Sequence, residues 1–113
     1  MSKSVECELA DLDDGKLVTA VGDVDFSCSS ELRRAIQEAL VVNPQRLVID
    51  LKGVNYMDSS GVATLVEALQ IQTKAKKLLV LCNLQKRVQG IFEIARLTTV
   101  FTITDDVESA KIK

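Results

Sequence analysis

The sequence predicts an α/β domain: a single mixed β-sheet of about five strands, opened by a hairpin and continued by βα units, packed with about four helices. Three observations predict it. Apolar and polar residues alternate on one side of Asp13-Asp14-Gly15, and a second strand-like run follows on the other. Two short stretches, residues 47–51 and 78–82, are almost continuously aliphatic. Between and after those stretches, apolar residues recur at helical spacing.

Each element follows from its local pattern. Val5, Cys7 and Leu9 alternate with Glu6 and Glu8, the period of a half-buried strand. Asp13-Asp14-Gly15 turns the chain, and residues 16–21 return as the second strand of a hairpin, closed by Gly22-Asp23-Val24-Asp25. Ser27, Ser29 and Ser30 then offer N-caps for a helix striped by Leu32, Ala35, Ile36, Ala39 and Leu40. Asn43-Pro44 ends that helix, because the residue before a proline avoids helical dihedrals. Leu47-Val48-Ile49-Asp50-Leu51 reads as a central strand buried on both faces. A loop over residues 52–60 leads into a second helix carrying Val62, Leu65, Val66 and Leu69. Residues 78–82 form another buried strand, and Leu84, Val88, Ile91, Phe92 and Ala95 stripe a third helix. Residues 100–103 make a last short strand, and Asp105-Asp106 starts a terminal helix running through Lys111. Right-handed crossovers make the strands after the first helix largely parallel.

Composition narrows the function classes. A chain of 113 residues has room for one core, so residues 1–113 are read as one domain. There is no histidine, which removes Ser-His-Asp and Cys-His nucleophiles and imidazole-bound zinc. Cys7, Cys28 and Cys82 are odd in number and widely spaced, so neither a disulfide framework nor a metal site is expected, and a reducing compartment fits. No apolar run approaches a membrane span, so the expected location is cytoplasmic, without membrane insertion. The net charge is −2, and the densest basic run, Lys74-Ala75-Lys76-Lys77, suits the negative end of a helix dipole; nucleic acid is not an expected partner. The Gly-x-Ser-x-Gly elbow and the phosphate-binding Gly-x-x-x-x-Gly-Lys loop are both missing, and Thr102-Ile103-Thr104-Asp105 offers no Lys of the kind a receiver domain carries after its last strand. No catalytic residue, metal or cofactor is expected, and the chain is read as a binding protein rather than an enzyme.

Chemistry in an open α/β sheet gathers beyond the carboxyl ends of the strands. Two segments are expected to converge there: Gly22-Asp23-Val24-Asp25, and Tyr56-Met57-Asp58-Ser59-Ser60-Gly61 at the start of the second helix. The latter sets small exposed hydroxyls where free backbone amides and the helix dipole favour an added negative group by about 0.3–1 kcal/mol. Gly61 removes a side chain where a phosphate or another backbone would approach. Spacing alone equally allows Asp58 or Ser59 to be no more than the helix cap.

Residues 47–51 followed by Met57-Asp58-Ser59-Ser60-Gly61-Val62 resemble the signature of the STAS domain family, and in particular its bacterial anti-sigma-factor antagonists. Gly22-Asp23-Val24-Asp25 is similar to the family's Gly-Glu-Leu-Asp segment, with Asp23 as a shorter acid. Leu81-Cys82-Asn83-Leu84 with Val88, Ile91, Phe92 and Leu97 is similar to its last strand–helix unit, although Arg96 stands where the family often has Gly. The resemblance implies an antagonist that, unphosphorylated, binds an anti-sigma factor that is also an ATP-binding serine protein kinase, and so releases the sigma factor. It implies phosphorylation of Ser59 as the off-switch, reset by a PP2C-type phosphatase, with Asp23, Asp25, Asp58, Ser60 and Gly61 on the partner-binding side. The alternative in another class is an accessory STAS subunit that binds the ATPase of an ABC-type lipid transport complex; a third is a non-catalytic member of a larger stress-sensing assembly.

Overall fold

The computed structural model describes residues 5–113. Its elements follow in the order β1 (Glu6–Leu12), β2 (Gly15–Val21), α1 (Ser29–Leu40), β3 (Arg46–Gly53), α2 (Ser59–Lys74), β4 (Leu78–Cys82), α3 (Lys86–Ile94), β5 (Thr102–Thr104) and α4 (Val107–Ala110). The five strands form one sheet in the sequential order β1-β2-β3-β4-β5. Only β1 runs antiparallel to its neighbour; β2 through β5 are mutually parallel. Sequential parallel order follows when every crossover has the same hand and no strand is skipped.

The pleat divides β3 between two cores. Leu47, Ile49 and Leu51 join the larger cluster with Leu32 and Ile36 of α1, Leu65 and Ala68 of α2, and Val88 and Phe92 of α3. Val48 points the other way and packs with Val80, Cys82 and Ala110 of α4. The first half of β3 is therefore buried on both faces, which its apolar run reflects, while Asp50 is half-buried and Lys52 exposed toward its carboxyl end.

The second helix meets the sheet through a narrower line than its aliphatic residues suggest. Gly61, Thr64, Leu65, Ala68 and Gln72 are its fully buried positions, while Val62, Val66 and Leu69 flank them. Small residues let the helix axis approach the strands, and Gln72 satisfies its buried amide on the carbonyls of Pro44 (3.1 Å) and Leu78 (2.8 Å).

Several boundaries differ from expectation. Gly15 already belongs to β2, where a Cβ would sit 1.7 Å from the Arg46 carbonyl oxygen, so only glycine lets β2 and β3 approach. The last strand begins at Thr102 rather than residue 100, because Val100 and Phe101 donate to the Leu97 carbonyl in a turn. The terminal helix is a short one, capped by Asp106, whose carboxylate accepts from the Ser109 amide at 2.8 Å. Arg96 adopts φ 60°, and the Leu97 amide donates to the Phe92 carbonyl at 2.8 Å. That is the left-handed helix ending usually given to glycine, here carried by arginine. The three cysteines are unpaired, with Cys28 and Cys82 buried. Burial pushes the Cys7 thiol up to about 11 and the Cys82 thiol up to about 12, so neither is a ready nucleophile.

Candidate functional site

Beyond the carboxyl end of β2, Gly22 adopts φ 114° and donates its amide to the Gly53 carbonyl at 2.9 Å. This positive φ lets the chain leave the sheet without losing contact with β3. Two residues on, Val24 and Met57 form an isolated parallel bridge: Val24 N–H donates to Tyr56 (3.0 Å), and Asp58 N–H donates to Val24 (2.9 Å). Val24 and Met57 are both fully buried, so an apolar pair beneath the surface welds the two expected segments together.

Asp58 caps α2. Its Oδ1 accepts from the Ser60 amide (2.9 Å), the Ser60 hydroxyl (2.6 Å) and the Gly61 amide (3.4 Å). Its Oδ2 accepts from the amide of Phe26 at 3.0 Å, in the other segment. One carboxylate thus ties the serine-bearing helix start to the loop after β2. The Ser60 hydroxyl contributes most to holding the Asp58 carboxyl below its ordinary value of 3.8; desolvation opposes this, and the Ser60, Gly61 and Phe26 amides assist.

Asp25 is organised differently. Its Oδ1 accepts from the amide (2.9 Å) and hydroxyl (2.5 Å) of Ser27, and its backbone carbonyl accepts from Cys28 (3.0 Å) and Ser29 (2.8 Å). The two Ser27 bonds, led by that from its hydroxyl, lower the Asp25 carboxyl from its ordinary value, while desolvation and the neighbouring Asp58 charge push the other way. The serines do not cap α1 as expected: Cys28 occupies the N-cap and makes no side-chain cap bond. The helix begins one residue after Cys28, so Ser29 and Ser30 fall inside its first turn rather than at the cap, and Ser27, one residue too early, is drawn to Asp25.

Each expected site residue has a definite place. Ser59 is the first residue of α2 and is exposed, and among the described residues its hydroxyl makes no hydrogen bond, in contrast to that of Ser60. Asp23 is exposed, while Asp25, Asp58 and Ser60 are half-buried. Gly61 is buried beneath them: a Cβ there would lie 2.5 Å from Met57 Cγ and 2.8 Å from Val24 Cγ1. What approaches Gly61 is the chain's own core. Sequence reasoning passed over Phe26, a residue 84% exposed between Asp25 and Ser27. The signal was an aromatic residue between Asp25 and Ser27 that belongs to no apolar period.

The arrangement is a surface rather than a pocket. An open cleft of about 540 Å³ lies past the ends of β3, β4 and β5, with Lys52, Asn83, Gln89 and Asp105 among its walls, and Ser59 is not part of it. Among the described residues there is no cluster of His, Cys, Asp and Glu that could hold a metal ion, and no helix long and apolar enough to cross a membrane.

Comparison with known proteins agrees with this architecture. The STAS domain family model matches residues 7–110. The anti-sigma-B factor antagonist of Listeria monocytogenes is 31% identical over 103 residues, spanning 91% of this chain and 90% of that protein. A crystal structure of an anti-sigma factor antagonist from Mycobacterium paratuberculosis superposes with a TM-score of 0.86 at 21% identity, covering 95% of this chain and 91% of that one. The Bacillus cell fate determinant SpoIIAA in its phosphorylated form superposes with a TM-score of 0.71 at 16% identity, covering 92% and 96% respectively. The chain belongs to the STAS domain family.

Proposed function

We propose that this chain is a cytoplasmic anti-sigma-factor antagonist that acts by binding and has no catalytic activity of its own. Unphosphorylated, it binds an anti-sigma factor that is also an ATP-binding serine kinase, and the sigma factor is released. Phosphorylation of Ser59 ends that binding, and a PP2C-type phosphatase restores it. The observation that carries this reading is the Ser59 hydroxyl: exposed, unbonded among the described residues, at the first position of α2 and next to the cap Asp58. The curated relative named as an anti-sigma-B factor antagonist supports the choice of partner class over a transporter ATPase.

The physics of the switch is local. A phosphate adds about −1.5 to −2 charges next to Asp58, whose own charge Asp25 already feels. The positive end of the α2 dipole tolerates the new charge, although Asp58 already occupies the Ser60 and Gly61 amides, so the fold has no reason to change. A partner seated on Asp23, Asp25, Asp58 and Ser60 would have to bury it, which costs several kcal/mol, or orders of magnitude in affinity. Gly61 acts from below by keeping α2 close to the Val24–Met57 bridge.

The test is phosphorylation of the purified protein by an anti-sigma factor kinase and ATP, followed by mapping of the modified peptide. Phosphate on Ser59 and binding lost in Ser59→Asp but kept in Ser59→Ala are the expected results. Phosphate confined to Ser60 or to the serines at 27–30, or equal affinity of the two variants, would refute the reading.

A further inference from the structure

We propose that Phe26 is the apolar anchor of this docking surface, inserting into an apolar pocket rimmed by basic side chains on the anti-sigma factor; the proposal rests on the function proposed above. Single exposed apolar residues are ordinary on protein surfaces, so exposure of the ring alone argues little. Its setting argues more. The backbone on both sides is pinned: the Phe26 amide donates to Asp58 Oδ2, Ser27 donates twice to Asp25 Oδ1, and the Cys28 and Ser29 amides close on the Asp25 carbonyl. Cys28 is buried, so the loop cannot lift away without opening the core. The chain therefore presents an 84% exposed ring from a fixed mount. An aromatic side chain with two torsions on a rigid backbone loses little freedom on docking, which is what an interface anchor requires.

The neighbourhood states what the partner must look like. Asp23, Asp25 and Asp58 lie in the two segments that carry the ring, and no basic residue occurs in residues 22–31 or 53–61. Val21 (52% exposed), just before the first segment, and Tyr56 (38%), within the second, are further exposed apolar side chains of the same stretches of chain. An apolar centre with an acidic rim fits a surface that is apolar at its centre and basic at its edge. Ile94 is as exposed as Phe26 but stands at the end of α3, outside this acidic setting. The same placement links the anchor to the switch. Ser59 adjoins the residue whose carboxylate holds the Phe26 amide, so a partner covering both the ring and the start of α2 would have to desolvate the phosphate as well.

The experiment compares wild type, Phe26→Ala, Phe26→Leu, Asp23→Asn and Ser59→Asp. Calorimetric titration against purified anti-sigma factor kinases of the source organism is run at low and high salt, with thermal melts of every variant. Phe26→Ala should weaken binding roughly 30-fold or more, the range of an interface hot spot. Its melting temperature should stay at the wild-type value, because the ring packs on little of its own chain. Its loss should be independent of salt, whereas the loss in Asp23→Asn should shrink as salt screens the rim. Phe26→Leu should recover part of the affinity. If Phe26→Ala binds within about twofold of wild type while Ser59→Asp does not bind, the anchor is wrong and the phosphoserine switch stands. If wild type binds none of the kinases, the proposed function fails, and the anchor with it.

Discussion

Two helical glycines should respond in opposite directions to the same substitution. Replacing glycine by alanine inside a helix ordinarily stabilises a protein by about 1 kcal/mol, because alanine loses less backbone freedom on folding. At Gly90 in α3 a new Cβ would meet nothing within 4 Å, so Gly90→Ala should realise that gain. At Gly61 in α2 the same Cβ would lie 2.5 Å from Met57 Cγ, 2.8 Å from Val24 Cγ1 and 3.2 Å from Met57 Sδ. Met57 and Val24 are fully buried, and Cγ is an inner atom of the methionine, so neither can swing aside into solvent. Overpacking of this kind costs about 1–3 kcal/mol. With two contacts under 3.0 Å the upper part of that range applies. Set against the helical gain, Gly61→Ala should lose a net of about 1–2 kcal/mol. For a domain of this size that lowers the melting temperature by about 4–8 °C, while Gly90→Ala raises it by about 4 °C. Scanning calorimetry or circular dichroism melts of both variants decide the matter. A Gly61→Ala protein as stable as Gly90→Ala would refute the argument that the Val24–Met57 bridge leaves no room above it.

Three further substitutions probe the same surface and its supports. Asp58→Ala removes the α2 cap and the tie to the Phe26 amide, and should cost about 1–2 kcal/mol; Asp58→Asn should retain most of it, as read by urea denaturation. Because the folded Asp58 carboxyl lies below its ordinary 3.8, its contribution is complete above that value and is lost as pH falls through the lower folded one. The wild type's advantage over Asp58→Ala should therefore narrow in strong acid and hold constant from pH 5 to pH 7. Asp25→Asn preserves an acceptor for Ser27 and leaves the Asp25 carbonyl on α1 untouched, so its melt should match wild type while partner binding weakens; a melt several degrees lower with normal affinity would assign Asp25 to structure. Arg96→Gly relieves a left-handed arginine, which costs about 1–2 kcal/mol, against an entropy loss of about 0.4–1 kcal/mol for the added glycine. The net expected outcome is a small rise in melting temperature, and a fall would mean that the exposed Arg96 side chain stabilises the chain in its own right.

The fold class, the element order and the segment bearing Ser59 were legible in the sequence because each rests on short-range pattern. Alternation announced β1, a doubly buried aliphatic run announced β3, and an acid followed by two serines and a glycine announced a helix start. Tertiary structure decided what those residues touch. That Asp58 holds Phe26, 32 residues earlier in the chain, depends on the Val24–Met57 bridge and leaves no local trace. The serines around the start of α1 looked like caps because hydroxyls are good caps in isolation, yet the helix starts where Cys28 holds the cap position, with Ser27 bound to Asp25 and Ser29 and Ser30 already in the first turn. Gly61 read as room for a phosphate or another backbone because its lack of a side chain is visible and its neighbours are not; the packed core beneath it gave that absence its meaning. Local sequence determines which backbone a segment prefers and which chemistry it carries. Which of several competent donors and acceptors meet is set by the distances that only the packed sheet and helices impose.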